Sequence, residues 1–208
     1  AYVVVYTLLL RLGGGVVLSA LLALFLSEAC LVASCVAVKK LLVGSHWGTA
    51  HSAPFWSWRH FSYFFAQDCF FAWCGAPLRT LAGTLLPNTI LRRMGCRIGK
   101  RTLFASPLQA FDWNAVNFGD DCIIGGLLQF HTFENLVLKV KKTDIRDGSV
   151  VNAGATVMGG AIVEPGTTLL PLGLVLKEMY LPTGIYWGSP TERLSDEAGA
   201  ENTGQDGG

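Results

Sequence analysis

The stretch I-R-D-G-S-V-V-N-A-G-A-T-V-M-G-G-A-I-V-E-P-G-T-T-L-L-P-L-G-L-V, from Ile145 to Val175, returns to the same residue type every six positions. Its aliphatic positions are Ile145, Val151, Val157, Val163, Leu169 and Val175. Four residues after each of the first five stands a small one: Ser149, Ala155, Ala161, Thr167 and Gly173. Glycine falls at the third offset in Gly148, Gly154, Gly160 and Gly166. A period of six fits neither the 3.6 of a helix nor the 2 of a strand. It fits a mainly β solenoid, a parallel β-helix with three short faces and about 18 residues per turn. The aliphatic residue then points into a narrow triangular core. The small residue fits where the chain bends, and glycine supplies a turn conformation that other residues resist.

The register is clean from Ile145 onward and weaker before it. Earlier hexads run through Phe104, and then through Phe118, Ile124 and Phe130. The step from Phe118 to Ile145 is not a multiple of six, so an insertion leaves the coil between Phe130 and Ile145. It holds His131, Thr132, Phe133, Glu134 and Asn135, then the basic stretch Lys139, Lys141 and Lys142. The coil begins near Ile98-Gly99, giving a solenoid domain over residues 91–190. The polar, glycine-rich tail over residues 191–208 has the composition of a disordered segment.

Residues 1–90 read as a membrane-associated helical region. Val16 to Val38 is an apolar run interrupted only by Ser19, Ser27, Glu28 and Ser34. At about 23 residues it is long enough for a transmembrane helix. Glu28 near its middle is costly in lipid. The segment before it reads as the tail of a preceding helix, ended by Arg11 and Gly13-Gly14-Gly15; a signal peptide is the alternative for the start, without a clear cleavage pattern after the apolar run. Lys39, Lys40 and the later arginines place this side in the cytoplasm by the positive-inside tendency, and the β-helix with it. Phe61 to Leu78 is aromatic-rich and marginal for a crossing, which fits an interfacial or re-entrant helix better. His46, His51 and His60, interleaved with Trp47, Trp56 and Trp58, read as membrane-edge anchors.

The 208 residues are enough for one domain or two small ones, and a net charge of +1 points to no nucleic acid or polyanionic partner. A hydrophobic content of 51% and a mean hydropathy of +0.41 exceed those of an ordinary soluble domain. The apolar start at Ala1 suggests a fragment of a longer polypeptide. The six cysteines form no C-x-x-C pair and read as reduced, buried thiols rather than metal ligands. No P-loop, G-x-S-x-G or zinc pattern is present.

The residue best placed for chemistry is His131, where the repeat is interrupted. Loops held by a rigid scaffold concentrate catalytic groups, and a histidine of near-neutral pKa can take a proton from an amine or hydroxyl attacking an acyl donor. Glu134, three residues on, would orient the imidazole or bind the ammonium of an amine acceptor. Lys139, Lys141 and Lys142 read as a solvated strand edge, with attraction of a carrier phosphate as a less favoured use.

The sequence Leu91-Arg92-Arg93-Met94-Gly95-Cys96-Arg97-Ile98-Gly99 resembles the opening motif of membrane-tethered left-handed β-helix acyltransferase-like domains. These occur in the C-terminal part of nonribosomal-peptide-synthetase-like enzymes of the ε-poly-lysine synthetase type. Further matching stretches are Pro54-Phe55-Trp56-Ser57, Ala82-Gly83-Thr84, Phe118-Gly119-Asp120, Gln129-Phe130-His131-Thr132-Phe133-Glu134, Leu170 to Lys177 and Trp187-Gly188-Ser189-Pro190. The pattern is departed from at Phe118, at Arg146-Asp147 and at Glu178. The resemblance implies a left-handed coil and acyl transfer or amide formation with His131 as base and Glu134 beside it. Asp112, Gln129, Asn152 and Trp187 complete a substrate-binding set. It implies no bound cofactor or metal. The acyl group would arrive as a thioester on carrier phosphopantetheine or on CoA, and a homotrimer or pseudo-trimer of sister units would form on the membrane. The alternatives are a non-catalytic coil completing such a trimer, and a CoA-dependent O- or N-acetyltransferase.

Overall fold

The computed structural model describes residues 2–13, 15–44, 50–105, 113–129 and 131–194, without the side chains of residues 50, 51, 129 and 131. Four helices come first: α1 (Tyr2–Arg11), α2 (Val16–Leu42), α3 (Trp58–Thr80) and α4 (Leu86–Met94). Strand β1 (Ala50–Pro54) lies between α2 and α3, so the region expected to be helical also contributes a strand. The remaining strands are short. They are β2 (Arg97–Ile98), β3 (Leu103–Phe104), β4 (Val116–Phe118), β5 (Ile123–Ile124), β6 (Leu127–Gln129), β7 (His131–Glu134), β8 (Val137–Lys141) and β9 (Thr143–Ile145). After them come β10 (Val150–Val151), β11 (Thr156–Met158), β12 (Ile162–Val163), β13 (Thr168–Leu169), β14 (Leu174–Val175), β15 (Tyr180–Leu181), β16 (Ile185–Trp187) and β17 (Glu192–Arg193).

Most of these strands stack into three faces by parallel pairing, with β17 folding back antiparallel on β16. The first face is β2-β4-β9-β12-β15, the second β3-β5-β10-β13-β16 and the third β6-β11-β14. Partners in the regular coils are displaced by three hexads, as in Val150↔Thr168, Thr156↔Leu174 and Ile162↔Tyr180. One inward residue per face builds the core. Ile124, Leu128, Ile145, Val151, Val157, Val163, Leu169, Val175 and Leu181 are all at most 1% exposed. Ser149, Ala155, Ala161 and Thr167 are fully buried at the corners, where a longer side chain has no room.

The break in register has two parts. On the second face Ile123 pairs with Val150, but on the third Leu127 pairs with Thr156, so the step between partners grows by two positions. The corner Gly125-Gly126 is shorter by those two positions than its counterpart one coil later. The β7–β8 hairpin then adds the residues that push the next coil out of phase. A Cβ on Gly126 would stand 2.4 Å from the carbonyl oxygen of Ala155, so only glycine lets the shortened corner lie flat on the next coil. The inward residue of this third face is therefore Leu128 rather than Phe130, which lies outside the described residues.

The departures from the repeat are each accommodated. Phe118 packs edge-on against Phe104 inside the coil, with centroids 5.2 Å apart. Arg146 pairs with Glu164 at 2.5 Å, and Asp147 accepts the N–H of Asp120 at 2.7 Å. Glu178 takes a left-handed backbone, φ 62°, at a corner where glycine is usual. Strand pairing continues past residue 191: Tyr186 pairs with Arg193, and the N–H of Leu194 reaches the carbonyl of Ile185 at 2.8 Å. The rest of the expected tail, after Leu194, lies outside the described residues.

Helix α2 is apolar on all sides and is long and apolar enough to cross a membrane. Ser57 caps α3 by accepting the N–H of His60 at 3.2 Å. Pro87 sits in the first turn of α4, and Gly95 ends it in the left-handed region, φ 114°. A Cβ there would meet Asn114 Oδ1 at 2.0 Å and Lys39 Nζ at 3.1 Å. Glycine leaves space for buried Lys39 to donate to Asn114 Oδ1 at 2.8 Å. Arg92 forks onto the carbonyls of Ile98 and Gly99 at 3.0 and 2.7 Å. These contacts explain the Leu91–Gly99 motif as a joint between helix and first coil. Phe70, Leu91, Met94 and Trp113 extend the solenoid core into the helices.

Candidate functional site

The hairpin turns through Asn135 and Leu136, both with positive φ, 51° and 57°. That is the primed turn whose twist matches two antiparallel strands. Its strands pair from His131↔Val140 to Glu134↔Val137, and β1 pairs with the other edge of β8, Ala50↔Lys141 to Pro54↔Val137. The result is a three-stranded antiparallel sheet standing off the coil. Its tip is tied down where the N–H of Phe55 donates to the Leu136 carbonyl at 2.8 Å. Leu138 and Val140 of β8 are buried with Val43, Ala53, Tyr63, Ala66 and Ala115. Phe133 stacks on Phe55 at 5.2 Å and on Phe64 at 5.9 Å.

The other face of the sheet is charged. Glu134 accepts from Lys139 at 2.6 Å, from Lys177, and from Thr132 at 3.2 Å. Lys141 pairs with Glu178, and Lys142 with Asp144 at 2.9 Å. The ammonium groups of Lys139 and Lys177 hold the Glu134 carboxyl down at about 2. The lysines are therefore not a solvated strand edge. They stand on and beside the central strand of the sheet, and each engages a carboxylate. Lys177 and Glu178, from the corner after β14, fasten the hairpin to a later coil.

His131 is the first residue of β7, opposite Val140, which is itself opposite His51. Glu134 lies three positions further along the same strand. Glu134 is engaged by Lys139, Lys177 and Thr132. Asn152 and Trp187 share one column of the second face. The Asn152 N–H meets the Leu169 carbonyl at 3.1 Å, and the Leu170 N–H meets the Tyr186 carbonyl at 2.8 Å. Asn152 also donates its side-chain amide to the Leu169 carbonyl at 2.9 Å, stapling the coils, while Trp187 is 55% exposed. This column and the hairpin stand at different edges of the prism, separated by the third face. Gln129 pairs its backbone with Met158. Asp112 lies outside the described residues.

Two residues go unnoticed in the sequence as parts of this site. Lys177 is signalled only by its place beside Glu178, where the hexads depart from their pattern. His60, read as a membrane anchor, packs against Phe55 at 4.6 Å and Phe64 at 4.8 Å. Its buried Nε2 has no hydrogen-bond partner among the described residues.

The class that fold and hairpin define is a parallel β-solenoid joined to a set of helices, one of them fit to cross a membrane, with an insertion at one corner. No family model matches the chain. Over 116 residues it is 30% identical to the delta-poly-L-ornithine synthetase of Acinetobacter baumannii; the match covers 54% of this chain and 9% of that protein. The chain thus spans only a small part of that relative's length. Among solved structures, a hexapeptide-repeat-containing acetyltransferase of Vibrio cholerae aligns at 12% identity and TM-score 0.46, covering 59% of this chain and 88% of that one. A maltose O-acetyltransferase of Clostridium difficile aligns at 15% identity and TM-score 0.42, covering 60% and 84%. The serine acetyltransferase of Neisseria gonorrhoeae aligns at 13% identity and TM-score 0.38, covering 93% and 83%.

Proposed function

We propose that the chain is an amide-forming acyl-transfer unit of a larger membrane synthetase, with the reaction at the β7–β8 hairpin. The observation that carries this reading is the match to a synthetase whose named product is a polyamide. The insertion at a broken corner of an otherwise regular coil supports it. The donor is a thioester of a basic amino acid on phosphopantetheine or CoA, and the acceptor is an amine of a second one. His131 takes a proton from the attacking nitrogen as the C–N bond forms. The C–S bond then breaks and the leaving thiolate receives that proton. The Glu134–Lys139–Lys177 cluster holds the hairpin in place, and Asn152 and Trp187 contribute to the acceptor side from a neighbouring unit. This arrangement is a left-handed coil in a trimer or pseudo-trimer on the cytoplasmic side of the membrane.

The test uses the full chain with the N-acetylcysteamine thioester of L-ornithine and free L-ornithine, with dipeptide followed by mass spectrometry. Dipeptide formation that His131→Ala abolishes supports the proposal. Product no faster than the uncatalysed reaction, or unchanged in His131→Ala, overturns it. Turnover with acetyl-CoA and not with the aminoacyl thioester would instead favour an acetyltransferase.

A purely structural role is favoured by a different observation. Glu134 is engaged by two lysines, and the Asn152 amide by a backbone carbonyl. This is what a coil completing a sister unit's site requires. In that case His131→Ala leaves the activity of the whole synthetase intact, while core substitutions in the coil abolish it.

A further inference from the structure

Helices α2, α3 and α4 line an open cleft of about 860 Å³ outside the solenoid. Its walls are apolar, with Leu24, Phe25, Val32, Pro77, Leu81 and Ile90 among them, and its charged lining residues are Glu28 and Arg93. The α2 residues that line it run from Leu21 to Val36, about 22 Å along the helix axis. Glu28 is half-buried, and among the described residues none hydrogen-bonds or ion-pairs with it. Arg93, on α4, forms no ion pair with it. A carboxylate midway along a helix fit to cross a bilayer is costly unless a cation answers it. The size and the lining, apolar with few polar groups, are those of a small-molecule site.

We propose that this cleft binds an amphiphile with a primary ammonium head, its chain along the apolar walls and its nitrogen on Glu28. Charge fixes the polarity of the ligand: an anionic head would face the carboxylate, and a neutral one would leave it unanswered. Arg93, the other charged residue of the lining, repels the ammonium and so favours its place on Glu28. The site does not depend on the acyl-transfer reading, because no residue of the hairpin lines it.

The experiment places the full chain in phosphatidylcholine nanodiscs with dodecylamine carrying a terminal diazirine, and maps the photolabelled peptides. Labelling is expected on Leu21–Val36 and on Ala76–Arg93. Unlabelled dodecylamine should compete and dodecanol should not. Glu28→Gln should lower labelling at least about tenfold, the loss of one charge-assisted hydrogen bond. Ala33→Trp, which fills space in the lining while leaving Glu28 in place, should lower it as well. Competition by added phosphatidylethanolamine would identify the natural ligand as a membrane lipid; its absence would identify a free amine. Equal labelling by the dodecanol analogue with no effect of Glu28→Gln, or labelling confined to other peptides, would overturn the proposal.

Discussion

The coils after Ile145 and the stretch before it are built from the same hexads but do different work. Between Ile145 and Val175 every inward position is buried, every corner holds a small residue, and partners keep a displacement of three hexads. Between Phe118 and Ile145 one corner is shortened to two glycines, and another is replaced by a hairpin that pairs with a strand from the helical region. A solenoid coil contacts only its neighbours, so a regular run can hold the fold while a single corner is given over to something else. The regular coils carry stability; the broken one carries the proposed base, His131.

The largest effect should come from the broken coil. Replacing His131 by Ala should slow amide formation about 10²–10⁴-fold, the usual contribution of a general base, with an unchanged circular dichroism spectrum. Equal loss of structure would move His131 to the side of stability. In the regular coils, Leu169→Ala removes a fully buried side chain and should cost about 2–5 kcal/mol, read from the denaturant midpoint. At the boundary between the regions, Gly126→Ala forces a methyl against the Ala155 carbonyl and should cost about 1–3 kcal/mol. No shift in the midpoint would show that the shortened corner has room to spare.

The smallest effect concerns the fastening of the hairpin. Lys139 and Lys177 lower the Glu134 pKa from 4.5 to about 2. A group whose folded pKa is depressed contributes stability above its unfolded value and loses it as pH falls through the folded one. The hairpin should therefore hold above the ordinary carboxylate range and loosen as pH falls toward that of the folded carboxyl. Amide hydrogen exchange over residues 131–141 should rise in that window, and Lys177→Met should raise it already at neutral pH. Protection that is independent of pH and of Lys177 would show that the aromatic face alone holds the sheet.

Most of the solenoid is legible because its period is set by one hard constraint, an aliphatic residue in a triangular core. The place of the insertion is legible from the same phase. Its form is not. The hairpin is decided by Asn135-Leu136 and by a partner strand, β1, far earlier in an apparently helical region, and a hexad count sees neither. Phe130 reads as an inward residue because the shortening at Gly125-Gly126 hides within the longer insertion. That His131 and Glu134 lie on a strand rather than a loop is likewise set by the hairpin's pairing, not by their spacing. Lys177 enters the site through a contact 43 positions away in sequence, beyond any local pattern.

The division of labour between the broken and the regular coils is tested most directly by thioester aminolysis per folded molecule in His131→Ala and Leu169→Ala side by side. His131→Ala should keep its denaturant midpoint and lose turnover, while Leu169→Ala should lose stability and keep turnover for each molecule that remains folded. Full turnover in His131→Ala would contradict that division.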